Sequence, residues 1–438
     1  MRFVPHNEKE KSEMLKEVGV ASIEELFKDI PENVRVKGEL KIGKPLSELE
    51  LRREIEDLAA KNKSAKQLSL FLGAGCYNHF IPATVPAITG RSEFYTAYTP
   101  YQPEISQGML QAIYEWQSWT CILTGMDLAN ASLYDGATAC AEAMLMAGNA
   151  RRRKKVLVSD GLNPEYLGVL KTYANANSVE LKEIKIAGLE KELDENVSCL
   201  IVQQPNFFGQ IEELKGLAEK LHEKKALLVV AITEALSLAF CEKPADYDAD
   251  IVALEAQSFG NPMSFGGPHP GVIACKKDFV RQIPGRLVGK TNDTEGKDGF
   301  ILTLQAREQH IRRERAGSNI CSNQALCALA STVYLSTLGE KGLEETAKEN
   351  HENAKYLAEK LKGLGFELPF GDNFFNEFVA KKQDLKEIHS ALSKKDIVFG
   401  YPLEMEFPEI KDSVLLAVTE MNSKQEIDAL VLELEELL

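Results

Sequence analysis

The sequence predicts an α/β protein: a large domain built on a mainly parallel sheet, a small α+β domain after it, and a helical arm in front. Two observations carry this reading. Between about residues 137 and 276, short apolar runs alternate with amphipathic stretches of helical length, which is the pattern of βαβ units. Beyond about Gly339, long charged helices alternate with a few short strand-like runs, as expected of a small antiparallel sheet with helices against it. The expected divisions are an arm over 1–70, the large domain over 71–339 and the small domain over 340–438.

In order along the chain, the arm carries two helix-start signals. Ser22 with Glu25, and Ser47 with Glu50, fit the capping box, in which each side chain satisfies an orphan N–H of the first turn. Residues 71–108 are rich in Gly, Pro and Tyr without helical periodicity and read as a long ordered loop, a feature that is usually functional. Helix returns over 109–124. The alternation then runs helix 137–150, strand 156–160, helix, strand 199–203, helix 211–225, and strands 226–232, 251–256 and 271–276. In the last part, helices over 340–364, 383–394 and from Ser423 surround strand-like FELPF, NEFVAK and SVLLAVTE.

The composition limits the function. Of 438 residues, 44% are hydrophobic and 27% charged, enough for a sizeable core. A net charge of −15 opposes non-specific binding to nucleic acid or anionic membrane, which needs a positive field. The amino-terminal segment holds no apolar run of signal-peptide length, and no window of about 18 apolar residues occurs, so the expected compartment is the cytoplasm. Eight cysteines without a Cys-x-x-Cys suit reduced thiols and no metal site.

Five segments hold groups able to do chemistry. Tyr134-Asp135-Gly136-Ala137-Thr138 opens a helix, where Gly136 and the Thr138 hydroxyl would seat a phosphate; the alternative is ordinary capping by Asp135 or Thr138. Asn206, in QPNFFG after a strand, would bond a ring hydroxyl or carboxylate, or simply form the turn. His269 stands in SFGNPMSFGGPHPG, where a lone histidine is more often structural than catalytic. The loop holding Tyr95, Tyr98, Thr99, Tyr101, Gln102, Glu104 and Gln107 offers amphipathic anchors for a pocket or an interface. Arg312, Arg313 and Arg315 can bind carboxylate or phosphate bidentately, or lie in a salt-bridged surface helix.

The segments YTPYQPEISQG (98–108), LTGMDLANASLYDGATACAEA (123–143), FGGPHPG (265–271), PGRLVGKT (284–291) and LQAREQHIRRERAGSNICSNQAL (304–326) resemble the amino-terminal half of the glycine decarboxylase P-protein family, a half that is a separate chain in many bacteria. The resemblance runs over nearly the whole chain in order. It implies an aspartate-aminotransferase-like, pyridoxal-phosphate (PLP) fold of type I. It also implies a role in decarboxylating glycine and passing the aminomethyl group to the lipoyl arm of the H-protein, in an α2β2 assembly with a second subunit.

One departure from the fold's pattern bears on the chemistry. A Schiff-base lysine is expected after the strand at 251–256, yet Gln257-Ser258-Phe259-Gly260-Asn261-Pro262 stands there, with no lysine between Lys243 and Lys276. An imine with an aldehyde requires a primary amine, which none of these residues has. The expectation is therefore that PLP is bound covalently by the partner subunit. This chain would lend its 95–107 loop to the partner's site and keep a vestigial cofactor site at Gly136, Thr138, Asn206, Thr233, Glu234 and His269. The rival readings are a self-sufficient PLP lyase or aminotransferase using a lysine such as Lys276 or Lys290, and a non-catalytic scaffold.

Overall fold

A computed structural model describes residues 5–38, 40–321 and 323–438, and the chain divides into two compact units, Met1–Lys63 and Ser64–Leu438. The first unit is the arm. Its helices α1 (Glu8–Val18) and α2 (Glu48–Ala59) are both entered through complete capping boxes, Asn7 with Glu10 and Ser47 with Glu50. The box expected at Ser22 does not form. A single 3-10 turn, Glu24–Phe27, begins one residue late, with Ile23 at its N-cap and no side-chain cap.

The second unit is built on a seven-stranded sheet: β1 (Leu128–Ala129), β2 (Lys155–Ser159), β3 (Glu180–Ile184), β4 (Val197–Gln203), β5 (Leu227–Ile232), β6 (Ile251–Glu255) and β7 (Gly271–Cys275). Their order is β1-β7-β6-β5-β4-β2-β3, with β2 to β6 parallel and β7 antiparallel to β6. The period of two sorts the side chains. Leu200, Val202, Leu228, Val230, Val252 and Leu254 enter one core, while Ile201, Leu227, Val229, Ile251 and Ala253 enter the other. Both faces are therefore apolar, and burying each such side chain stabilises by about 1.5–3 kcal/mol. Strand β3, ELKEI, is at the edge and mostly exposed, which explains why its charged sequence gives no strand signal.

Helices α3 (Gln107–Thr124), α4 (Gly136–Arg151) and α5 (Pro164–Asn177) follow the expected pattern, but 211–225 does not. Only α6 (Leu217–Glu223) is helical there. Gly216 takes a positive φ of 77°, and the preceding Ile211 N–H bonds the Asn373 carbonyl at 2.9 Å instead of starting a helix. A hairpin, β8 (Leu287–Asn292) with β9 (Asp298–Thr303), follows the sheet.

Helix α7 (Ala325–Gly363) runs from the large body into the small one and breaks its helical geometry at Gly339, where φ is 63°. The small body has the antiparallel strands β10 (Glu377–Lys381), β11 (Tyr401–Pro402) and β12 (Ser413–Ala417) in the order β10-β12-β11, with α8 (Leu385–Ser393) and α9 (Lys424–Leu437) around a separate core. FELPF contributes only the bridge Glu367–Lys381. Among the described residues no helix is long and apolar enough to cross a membrane, no group of His, Cys, Asp and Glu could hold a metal ion, and the eight cysteines are free.

Candidate functional site

In an open parallel sheet the ligand crevice lies outside the carboxyl ends of the strands. Here that end is occupied by the chain itself. Segment 73–80 lies there, with Tyr77 fully buried. The Tyr77 hydroxyl donates to Glu377 Oε2 at 2.6 Å, and the Ala74 N–H donates to Glu377 Oε1 at 2.7 Å. Gln257, from the turn after β6, accepts from the Tyr77 N–H at 2.9 Å and donates to the Tyr77 carbonyl at 3.0 Å.

Two residues on, His79 bridges Glu420 (Nδ1 to Oε2, 2.9 Å) and Glu234 (Nε2 to Oε2, 3.1 Å), with 2% of the His79 and Glu234 side chains exposed. Burial opposes charge on the imidazole, but Glu420 and Glu234 outweigh it and hold the His79 pKa up at about 10. Burial pushes Glu377 up to about 7. The bridge ties the end of β5 to the small body, where Glu420 lies. What remains beside Tyr77, Thr233 and Glu234 is a cavity of about 10 Å3.

The Gly136 seat is also filled. Asp135 caps α4 by accepting from the Thr138 N–H at 2.6 Å, and the Gly136 N–H donates to Glu255 Oε2 at 2.9 Å. Burial pushes Glu255 up to about 8, with the Gly136 N–H pulling the other way. A carboxyl group thus stands where a phosphate would sit, and a Cβ on Gly136 would lie 2.1 Å from the Tyr166 hydroxyl.

The other residues named for this site are held in structural roles. Asn206 Oδ1 accepts from the Phe208 and Gln210 N–H groups, both at 3.0 Å. Thr233 Oγ1 meets Gln203 Nε2 at 3.3 Å, and His269 Nε2 faces the Met263 carbonyl at 3.1 Å. Ser258, in the turn after β6 and not among those residues, is 1% exposed, and its Oγ has no partner among the described residues. The Gly136 N–H and the space beside Tyr77 are thus taken up by the chain's own side chains, and the cavity left there is far below the range of about 300–1,000 Å3 for ligand pockets.

The segment 71–108 is not loop throughout, since short helices Thr84–Thr89 and Ser92–Tyr95 and a 3-10 turn Pro103–Ile105 interrupt it; its 95–107 stretch is placed quite differently from 73–80. Tyr95, Tyr98 and Tyr101 are 66%, 77% and 51% exposed. Gln102 and Glu104 are exposed and Thr99 is half-buried. The base of the loop is fixed. Gln107 exchanges hydrogen bonds with the Phe300 backbone at 2.8 and 2.9 Å. The Arg286 guanidinium lies over the Tyr101 ring, 5.6 Å from its centroid, and donates to the hydroxyl at 3.2 Å. Arg286 also reaches Asn323, which donates to Ser132 Oγ at 2.8 Å. Two separate sequence candidates, the tyrosine loop and the basic stretch, are thereby joined through Arg286.

A model of the family described as glycine cleavage system P-protein matches residues 1–434. The chain belongs to the P-protein family. It is 52% identical over 441 residues to a protein of Geobacillus thermodenitrificans (strain NG80-2) named "Probable glycine dehydrogenase (decarboxylating) subunit 1", covering 99% of this chain and 98% of that one. Among solved structures it is similar to a crystal structure of glycine decarboxylase (P-protein) of the glycine cleavage system in inhibitor-bound form, with a TM-score of 0.90, 43% identity and full coverage of both chains. A sphingosine-1-phosphate lyase of Burkholderia pseudomallei K96243 shares the fold alone, at 14% identity and a TM-score of 0.65 over 92% of each chain. The architecture is thus that of the type I PLP enzymes, as the resemblance implied, in a P-protein chain whose own crevice is filled.

The residues that fill the crevice, Tyr77, His79, Glu255, Glu377 and Glu420, were not singled out in the sequence. Tyr77 and His79 lie within the 71–108 segment read as functional, and Glu255 carries a signal of its own as an acid inside the apolar run IVALEA, where charge is almost never buried without a partner.

Proposed function

We propose that this P-protein chain is the lysine-free subunit of a two-chain glycine decarboxylase of α2β2 composition, working in the cytoplasm with a second subunit that holds PLP covalently. PLP bound there supplies the electron sink for decarboxylation. This chain's part is to complete the partner's site and to receive the lipoylated H-protein, to which the aminomethyl group passes. The observation that carries the reading is the contrast within one molecule: the chain's own crevice is closed by Tyr77, His79 and Glu255, while Tyr95 and Tyr98 project from a loop anchored at its base by Arg286 and Gln107. Exposed tyrosines on a pinned loop lose little rotamer freedom on docking, which suits them to an interface that must also present hydroxyl groups.

In that role Tyr95, Tyr98, Tyr101, Gln102 and Glu104 line the glycine and lipoyl entrance, with Thr99 and Gln107 holding the loop's shape. The test is co-expression of both chains with Tyr98→Phe or Glu104→Gln in this one. Decarboxylation should fall about tenfold, the equivalent of one hydrogen bond, while the PLP content of the complex is unchanged. Unchanged rates would remove the loop from the site. A yellow protein from this chain expressed alone, holding PLP through one of its own amines, would refute the assignment of the cofactor to the partner.

A further inference from the structure

At the other end of α4 from Gly136, beneath the segment 305–318, lies a groove of about 690 Å3. Its lining on α4 begins at Met144, so at a rise of about 1.5 Å per residue the groove starts about 12 Å from the Gly136 seat and extends to the helix's carboxyl end. Lys154 and six arginines line the groove, against one carboxylate, Glu308, in a chain with 66 acidic and 51 basic residues overall. The fold assembles this density from three places: Arg152 at the carboxyl end of α4, Arg281 beyond β7, and Arg307, Arg312 and Arg315 of the basic stretch.

Some of the charge is used by the protein. Arg153 donates to the Val197 and Lys224 carbonyls at 2.9 and 2.7 Å, and Lys154 donates to the Asn177 carbonyl at 3.0 Å. The rest is not. Arg315 has only Glu314 at 3.9 Å, an exposed pair of little consequence. Glu308 turns Oε2 toward Arg286 at 4.0 Å and His310 at 3.6 Å, and its Oε1 is buried with no hydrogen-bond partner among the described residues. Among the described residues, Arg152, Arg281 and Arg312 have no carboxylate within 4.0 Å. Arg307 donates through Nη1 to the Ile283 carbonyl, while its Nε and Nη2 are buried without an acceptor among the described residues. Buried charged donors left unmatched are costly, so an acceptor belongs in this groove.

We infer that the groove is a binding site for a small molecule with several anionic oxygens, supplied by phosphate groups or by multiple carboxylates. Guanidinium forks bind both bidentately. The volume lies within the range of about 300–1,000 Å3 for small-ligand sites. No aromatic residue lines the groove, so it lacks the stacking surface a nucleobase would use.

The test is calorimetric titration of the full chain with pyrophosphate and with citrate, at ionic strength held constant with sodium chloride. One saturable site is expected. The double substitution Arg152→Gln and Arg312→Gln should weaken it about a hundredfold, at about tenfold for each charge-assisted contact. Lys341→Gln, on the surface of α7, should leave it unchanged. Tighter binding of pyrophosphate identifies a phosphate ligand, and tighter binding of citrate a polycarboxylate. Heats that follow ionic strength alone, or affinity indifferent to the two arginines, overturn the proposal. So does binding by the isolated chain that disappears in the PLP-loaded complex with the second subunit, because the groove would then be a protein contact.

Discussion

Replacing His79 with leucine removes the one cation between two acids in the filled crevice. The His79 and Glu234 side chains are 2% exposed and that of Glu420 is 12% exposed, so neither carboxylate can recover its hydration by a simple rotation. Leucine is close to histidine in size, and the loss is therefore chiefly electrostatic. Breaking a buried pair by removing one partner costs about 3–5 kcal/mol. Adding Glu234→Gln to the same chain removes one of the two stranded charges and should recover about 2 kcal/mol, since the amide oxygen can still accept from the Leu236 N–H. The assay is urea unfolding followed by the fluorescence of Trp116 and Trp119, both on α3.

The pH dependence has a definite sign. The folded His79 pKa, about 10, lies above the ordinary imidazole value of about 6.5, so its stabilisation is complete below pH 6.5 and is lost as pH rises through 10. The gap between the parent chain and His79→Leu should therefore close in strongly alkaline buffer. A loss under about 1 kcal/mol at pH 7, or a second substitution that destabilises further, would refute the bridging role.

Other outcomes follow from the same geometry. Ser258→Lys, which places an amine in the turn after β6, should stay colourless with added PLP and show no near-visible band, because Glu255 and Tyr77 still fill the space; a yellow, borohydride-reducible product would show that the crevice opens. Glu255→Gln should flatten the thermal stability profile between pH 5 and pH 8, since the raised Glu255 pKa of about 8 makes its contribution fade as pH rises through that value. Gly271→Ala places a Cβ 1.9 Å from the Asp135 carbonyl oxygen and should cost about 1–3 kcal/mol in urea unfolding, through displacement of the α4 cap.

How much was legible depended on how local the cause was. Strands β4 to β7 and helices α3 to α5 were visible because an all-apolar strand or a 3.6-residue period is written in consecutive residues. The edge strand β3 was not, since ELKEI owes its conformation to the ladder with β2, and 211–216 lost its helical promise to a hydrogen bond with Asn373. At the site, the missing lysine could be read directly, because the absence of an amine between Lys243 and Lys276 is a fact of composition. The residues that close the crevice could not.

By itself, then, the sequence determined the α/β class, the family resemblance and the lack of an imine-forming group after β6. Each of these rests on residue identity or short-range spacing. Only the tertiary structure decided that the crevice is closed and where the unmatched arginines gather. Tyr77 and Glu377 are 300 positions apart and His79 and Glu420 are 341 apart. No local rule pairs such groups. They meet because the parallel sheet and the small body converge on one place, and burial there makes each polar side chain find a partner.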